Sequence, residues 1–419
     1  MENSAQRRLE SIARHLLLPQ IPTRNLRRNP LSAAEPSPVI IGGMVLDIHA
    51  SPYAHPSPGT TTPGKVQYVS GGVARNVAEC MSKLGSKPFM ISVVGQDMAG
   101  DLLLRYWKSA GLSTEGILQL PGATTPVVSN VFDCSGELAA AVASVEAVET
   151  YLNPEWICRF QHNICTAPVL MVDANLSPQS LQISCQVAAR SGIPVWFEPV
   201  SVTKSTRIAS VIDYITCASP NENELVAMAN ALLPQKEFEF IRSKATKCVS
   251  HSVEYLFQML KPSIYFLLQK GIKLLLVTLG SDGVFLCCRE GLSFMKDHLK
   301  RTTTGFTRQL HELLKEACPI EQCISSIETG QKSFRSCAFH FPALPASVVS
   351  LTGAGDCLVG GILASVAAGL DVMQSVAVGI AVAKAAVEAE TNVPTKFCST
   401  NVADDAKRIL SAAQPLWLE

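Results

Sequence analysis

Leu351-Thr352-Gly353-Ala354-Gly355-Asp356 runs directly into the apolar stretch Cys357 to Leu370. A small-residue loop that opens a helix leaves backbone N–H groups unpaired, and the helix dipole adds partial positive charge at the same end. Such an end takes anions readily, and Gly353 and Gly355 remove side chains that would block close backbone approach. Asp356 is out of place if the loop only binds phosphate, because its carboxylate repels the ligand. It fits as a general base that takes a proton from a hydroxyl attacking a phosphoryl group held by the N–H cluster. By itself the stretch also fits an ordinary helix start with an acidic first turn, so the rest of the chain must decide.

At 419 residues, 47% of them apolar, the chain can build one large α/β domain or two smaller ones. Its 35 Lys and Arg balance 35 Asp and Glu, which gives no basis for a broad nucleic-acid or membrane surface. The 14 cysteines include no CxxC pair and the 8 histidines show no metal-ligand spacing. Without a secretory segment, these cysteines read as reduced intracellular thiols. Cys357 to Leu370 is too short to span a bilayer and reads as a buried helix, so a soluble protein is expected.

Residues 1 to 37 differ from the rest of the chain, being Arg-rich and punctuated by proline, and read as a targeting or disordered segment. Within them Arg8-Leu9, five residues, then His15-Leu16 match the N-terminal peroxisomal pattern R-L-x5-H-L on a short amphipathic helix. That match implies a peroxisomal location and a peroxisomal import receptor as partner. A transit peptide for another organelle is the alternative, against which Glu2 and Glu10 count, and a cytoplasmic location also stays open.

From Val39 onward short apolar runs alternate with helical ones: Val39 to Ile41, Phe89 to Val94, Val169 to Val172, Ile193 to Phe197, Val211 to Ile215 and Lys273 to Thr278. Helical stretches begin near Gly72 and cover Pro178 to Arg190. Continuous apolar strands separated by helices predict a mostly parallel sheet covered on both faces. Val127 to Ala143 instead pairs two β-type runs around Asp133 to Gly136, and with residues 49 to 70 predicts a small side sheet. Pro234 to Pro262 is mixed and helical, 292 to 332 reads as a polar surface insertion with a helix from Thr307 to Cys318, and 401 to 419 reads as a closing helix.

Four more constellations carry chemistry. Asp47, at the expected end of the first strand, can accept two sugar hydroxyls at the carboxyl edge of the sheet. Gly71 and Gly72 permit a tight turn beneath a ligand, and Asn76 sits one turn into the helix they open. Asn221 and Glu224 share a helical face, as a hydrated Mg²⁺ site or as a capping box. Thr278, Gly280 and Gly283 form a strand end and glycine turn that suits a nucleotide floor or a plain hairpin. No P-loop, protein-kinase motif or Gly-x-Gly-x-x-Gly after a strand occurs.

In this order and spacing the motifs resemble the ribokinase-like (PfkB) carbohydrate kinase family, across residues 38 to 400. The resemblance implies a central, mostly parallel sheet flanked by helices, with a small β-lid formed by about 49–70 and 127–143. It implies transfer of the γ-phosphate of ATP, with Mg²⁺, to a primary hydroxymethyl group. Asp356 would be the base, with Gly353, Ala354 and Gly355 forming the anion hole and Asp47, Gly71, Gly72 and Asn76 holding the sugar. Asn221 and Glu224 would organise Mg²⁺ and phosphate, while Thr278, Gly280, Gly283 and Thr352 would meet the nucleotide and Asn392 would lie near adenine.

Pro63-Gly64-Lys65, Gly71 to Asn76, Glu198-Pro199-Val200-Ser201 and Thr391-Asn392-Val393-Pro394 resemble the branch of the family that phosphorylates pseudouridine. Val73 stands where many members carry Lys, and Asn175, after a further strand, would reach the base. Ser350 replaces an Asp that often supports a monovalent cation, which leaves potassium activation open. Family lids often pair between subunits, so a homodimer is expected. An inosine, adenosine or ribose kinase, or an inactive member acting as a binding protein, are the competing readings.

Overall fold

The computed structural model describes residues 36–56, 59–134, 138–235, 237–240, 252–289, 305–315 and 337–417. The Arg8 to Leu16 signal and most of the 292–332 insertion lie outside these residues. Fourteen strands occur among them: β1 Val39–Ile41, β2 Val45–Pro52, β3 Gly64–Gly71, β4 Phe89–Gly95, β5 Ile117–Leu120, β6 Val127–Phe132, β7 Leu138–Ser144, β8 Leu170–Asp173, β9 Val195–Glu198, β10 Cys217–Ala218, β11 Leu274–Thr278, β12 Val284–Cys288, β13 Cys337–Phe341 and β14 Gln414–Trp417.

Ten strands form one sheet in the order β14-β13-β12-β11-β10-β9-β8-β1-β4-β5. From β11 to β5 every neighbour is parallel, whereas β12, β13 and β14 add an antiparallel edge. Alternation along the strands sends their apolar residues to two cores. Ile40, Met90, Met171, Trp196 and Leu276 join the helices Val73–Lys83, Ala354–Ala367, Val372–Val387 and Ser399–Ser411. Val39, Ile41, Ile91, Val172, Phe197 and Val277 join the helices Pro178–Arg190, Glu222–Ala231 and Val253–Gln269. The chain leaves β1 toward β4 on one side and later returns to β8 on the other. The crevice beyond the carboxyl ends of β1 and β8 is therefore a topological switch point. A second sheet, β3-β2-β6-β7, supplies the expected side sheet.

Four expectations change. Asp47 does not end the first strand of the main sheet, because β1 stops at Ile41 and the chain breaks at Gly42-Gly43. A Cβ on Gly42 would lie 2.1 Å from a carboxylate oxygen of Asp173, so this backbone packs where no side chain fits. Asp47 is then the third residue of β2, opposite Val69 of β3 and Val128 of β6. Val211 to Ile215 forms 3₁₀ turns, with the strand following at Cys217–Ala218. Its buried apolar residues, Val211 and Ile215, are four apart, a helical spacing.

The chain's last elements are the Ser399–Ser411 helix and then β14, not a helix alone. Pro415 is tolerated in β14 because an edge strand has one unpaired side. The helix of the polar insertion, Gly305–Lys315, is not purely a surface feature. It buries Leu310 and Leu314, and the Ser399 hydroxyl donates to Gln309 Oε1 at 2.9 Å.

Candidate active site

Gly353 takes a left-handed conformation (φ 82°), and its missing Cβ would lie 2.3 Å from the Asn392 carbonyl oxygen, so only glycine turns the chain here. The Cys357 N–H donates to the Gly353 carbonyl at 2.9 Å, which starts the Ala354–Ala367 ladder and leaves the Gly355 and Asp356 N–H groups ahead of it. A Cβ on Gly355 would meet nothing within 4 Å. The protein itself does not demand glycine there, and the open space is what an approaching anion requires.

Asp356 lies in the first turn of this helix, and Asn76 Nδ2 donates to its Oδ2 at 2.6 Å. Arg75, 4% exposed, donates in turn to Asn76 Oδ1 at 2.6 Å and pairs with Glu79 at 2.7 Å. The Asp356 carboxyl is pushed up to about 6: burial raises it most, Asn76 and the Arg75 charge oppose the rise, and Asp173 and Asp47 add to it. A carboxylate near that value is ionised at neutral pH yet basic enough to accept a proton as a hydroxyl attacks.

Asp47 faces the same region from the lid. Its Oδ2 accepts Asn392 Nδ2 at 3.0 Å, and a Cβ on Gly71 would lie 2.1 Å from that oxygen. Gly72 (φ 95°) turns the chain past the Gly43 carbonyl and opens the Val73–Lys83 helix. Burial raises the Asp47 carboxyl, opposed by the Asn392 hydrogen bond and by the charges of His49 and Arg75. Asp173 ends β8 and is fully buried, accepting the N–H groups of Gly43 and Asn175, each at 2.9 Å. It holds the glycine break in place. Asn175 turns its Oδ1 to Lys204 Nζ at 2.6 Å.

Asn221 and Glu224 form a reciprocal capping box at the start of Glu222–Ala231, each side chain accepting the other's backbone N–H at 2.9 Å. Burial raises Glu224. Thr278 bridges Asn221 at the end of β11, and the Gly280–Asp282 turn leads to β12. Gly283 is structural, since its Cβ would lie 2.0 Å from the Phe341 carbonyl oxygen. The Thr352 N–H donates to Ser350 Oγ at 3.3 Å.

The sequence-predicted residues Asp47, Gly71, Gly72, Asn76, Gly353 and Asp356 thus form one connected group. Asn392 joins that group on the side of Asp47, where adenine was the expected neighbour. Sequence reasoning missed Arg75 and Glu198. Arg75 stood inside Gly71 to Asn76, and a basic residue beside a ligand-facing Asn is the signal available. Glu198 closes β9 and accepts from Ser219 Oγ, which accepts Trp196 Nε1 at 2.7 Å. Burial lifts its carboxyl well above the usual range, opposed by the Ser219 hydroxyl and reinforced by Asp356, Glu224 and Asp173. Val200, two residues on, has φ 67°, a strained value for a β-branched residue.

Residues 36–304 and 332–394 match the model of the pfkB family of carbohydrate kinases, and the gap falls within the polar insertion. The chain is 48% identical over 384 residues to a pseudouridine kinase from Arabidopsis thaliana, covering 90% of this chain and 98% of that one. It is 24% identical over 329 residues to a pseudouridine kinase from Escherichia coli, covering 76% and 97%. In three dimensions it is similar to an Arabidopsis thaliana ribokinase complexed with ribose and ATP (TM-score 0.62, 17% identity, covering 89% and 99%). A Thermotoga maritima ribokinase is comparably similar (TM-score 0.61, 17% identity, covering 88% and 99%).

Proposed function

The chain belongs to the pfkB family of carbohydrate kinases, and from that membership we propose that it transfers the γ-phosphoryl group of ATP to the 5′-hydroxyl of pseudouridine. The observation that carries the substrate is the 48% identity to a pseudouridine kinase along 90% of the chain. Asp47 takes sugar hydroxyls under the lid. Asp356, held by Asn76, accepts the proton of the attacking hydroxyl. The N–H groups at the Gly353 to Asp356 turn receive the charge that develops on the transferred group.

Glu198 and Glu224 are hard-oxygen donors whose carboxyls burial raises, and the Glu224 charge raises that of Glu198 further, which a divalent cation would offset. Mg²⁺ keeps much of its water, and these two carboxylates would hold it through that water. When bound it neutralises phosphate charge. The Ser350 hydroxyl accepts the Thr352 N–H, and comparing turnover in Na⁺ and K⁺ buffers reads whether K⁺ activates.

The lid exposes Val66 and Tyr68 on β3 and Val142 on β7, a surface suited to a second copy of the chain, and sedimentation would then report a dimer. Arg8-Leu9 and His15-Leu16 support peroxisomal import, and a fusion with Arg8 and His15 both replaced should stay outside peroxisomes. The deciding assay offers Mg·ATP with pseudouridine, uridine, inosine or ribose to the purified protein. Pseudouridine should give the highest kcat/KM, and a preference for ribose would overturn the reading.

A further inference from the structure

Resting on that reading of the site, we infer that Asn392 is a positioning residue that orients Asp47 for the nucleoside and ties the lid to the phosphoryl-transfer loop. Asn392 is 2% exposed. Its amide nitrogen donates to Asp47 Oδ2 at 3.0 Å and to the Ser70 carbonyl at 3.2 Å, which uses both of its hydrogens on the lid strands β2 and β3. Its backbone carbonyl accepts the Cys357 thiol at 3.4 Å and occupies the space beside Gly353. One buried residue therefore touches the sugar-binding carboxylate and the turn that opens the Ala354–Ala367 helix.

The chemistry of the side chain matters. An amide presents two donors at this reach, whereas a carboxylate would repel Asp47 and a methyl would leave a buried carboxylate oxygen unpartnered. Besides Asn392, Asp47 feels His49 on its own strand and Arg75 on the Val73–Lys83 helix, and its charge is felt by Asp356. His49 and Arg75 both favour the ionised form of Asp47, whereas the Asn392 amide fixes the direction of the carboxylate.

The test compares wild type, Asn392→Ala and Asn392→Asp by calorimetric binding of pseudouridine and by steady-state kinetics. Asn392→Ala should raise the nucleoside Kd and KM about tenfold or more while leaving the KM for Mg·ATP unchanged and kcat within about threefold. Asn392→Asp is isosteric and serves if the alanine variant is unstable. It should bind the nucleoside poorly near pH 8 and recover toward about pH 6, where one proton bridges the two carboxylates. Wild type should show no such recovery on acidification, because its amide brings no second carboxylate to share a proton with Asp47. A purely structural role would move melting temperature and both substrates' KM together, with no recovery on acidification. Variants that bind like wild type at both pH values, or that lose both substrates together, overturn the inference. Failure of wild type itself to bind pseudouridine instead overturns the substrate reading, which keeps the two separable.

Discussion

Replacing Asp356 with Asn should cost activity and raise stability at once, because the carboxylate proposed as the base is also a charge largely withdrawn from water. The amide keeps the size of the side chain and can still accept Asn76 Nδ2, so the helix start should persist. Removing a general base costs roughly 10²–10⁴-fold in turnover. The stability change follows from the shift of the carboxyl from 3.8 to about 6. At about 1.4 kcal/mol per unit, ionising this group costs the fold at most about 3 kcal/mol, a ceiling because the side chain is partly solvated. The unfolded carboxyl releases its proton near 3.8 and the native one near 6. Between these values the native state binds more protons, so wild-type stability falls as pH rises through that window and stays at the lower level above it. The amide does not titrate. Melting curves of the two proteins should coincide relative to one another near the acid end and separate by up to roughly 4 °C at neutral pH, taking about 2.1 cal/mol/K per residue. Single-turnover kinetics and a pH series of melts read both effects. Near-normal turnover in Asp356→Asn, or a variant no more stable than wild type at neutral pH, would refute the reasoning.

Wild-type kcat/KM should fall about tenfold per pH unit below the Asp356 midpoint of about 6, and Arg75→Met should move that acid limb to higher pH by removing the charge that opposes protonation. Gly71→Ala should raise the nucleoside KM about tenfold or more and spare that of Mg·ATP, because the new methyl meets Asp47 Oδ2. Glu198→Gln should raise the Mg²⁺ concentration needed for half-maximal turnover several-fold, measured by titrating Mg²⁺ at fixed ATP, since it deletes one of the two carboxylates proposed to hold the ion's water.

The residues legible in the sequence are those whose identity a ligand or a tight turn dictates locally. Gly353 needs its left-handed φ, Gly71 must clear a carboxylate, and Asp356 stands one turn into a helix whose start is written in adjacent letters. The apolar runs of β4 and β8 are legible for a similar reason, since a strand buried on both faces is apolar at nearly every position, Ser92 and the strand-end Asp173 being the exceptions. The misplaced elements are those decided by distant partners. Asp47 leaves the main sheet because Gly42 packs against Asp173, 131 positions away by subtraction of their numbers. β14 exists only because β13 offers it an edge. Asn392 lies 345 positions from the carboxylate it holds, and nothing in Thr391 to Pro394 signals that pairing. The same holds for Glu198, whose carboxyl is raised first by burial and then by the charges of Asp356, Glu224 and Asp173 on three other elements. In this chain, motifs therefore mark where the backbone turns that build the proposed site lie. The electrostatics that tune Asp47 and Asp356 come from residues that meet only after the sheet has brought its strand ends together.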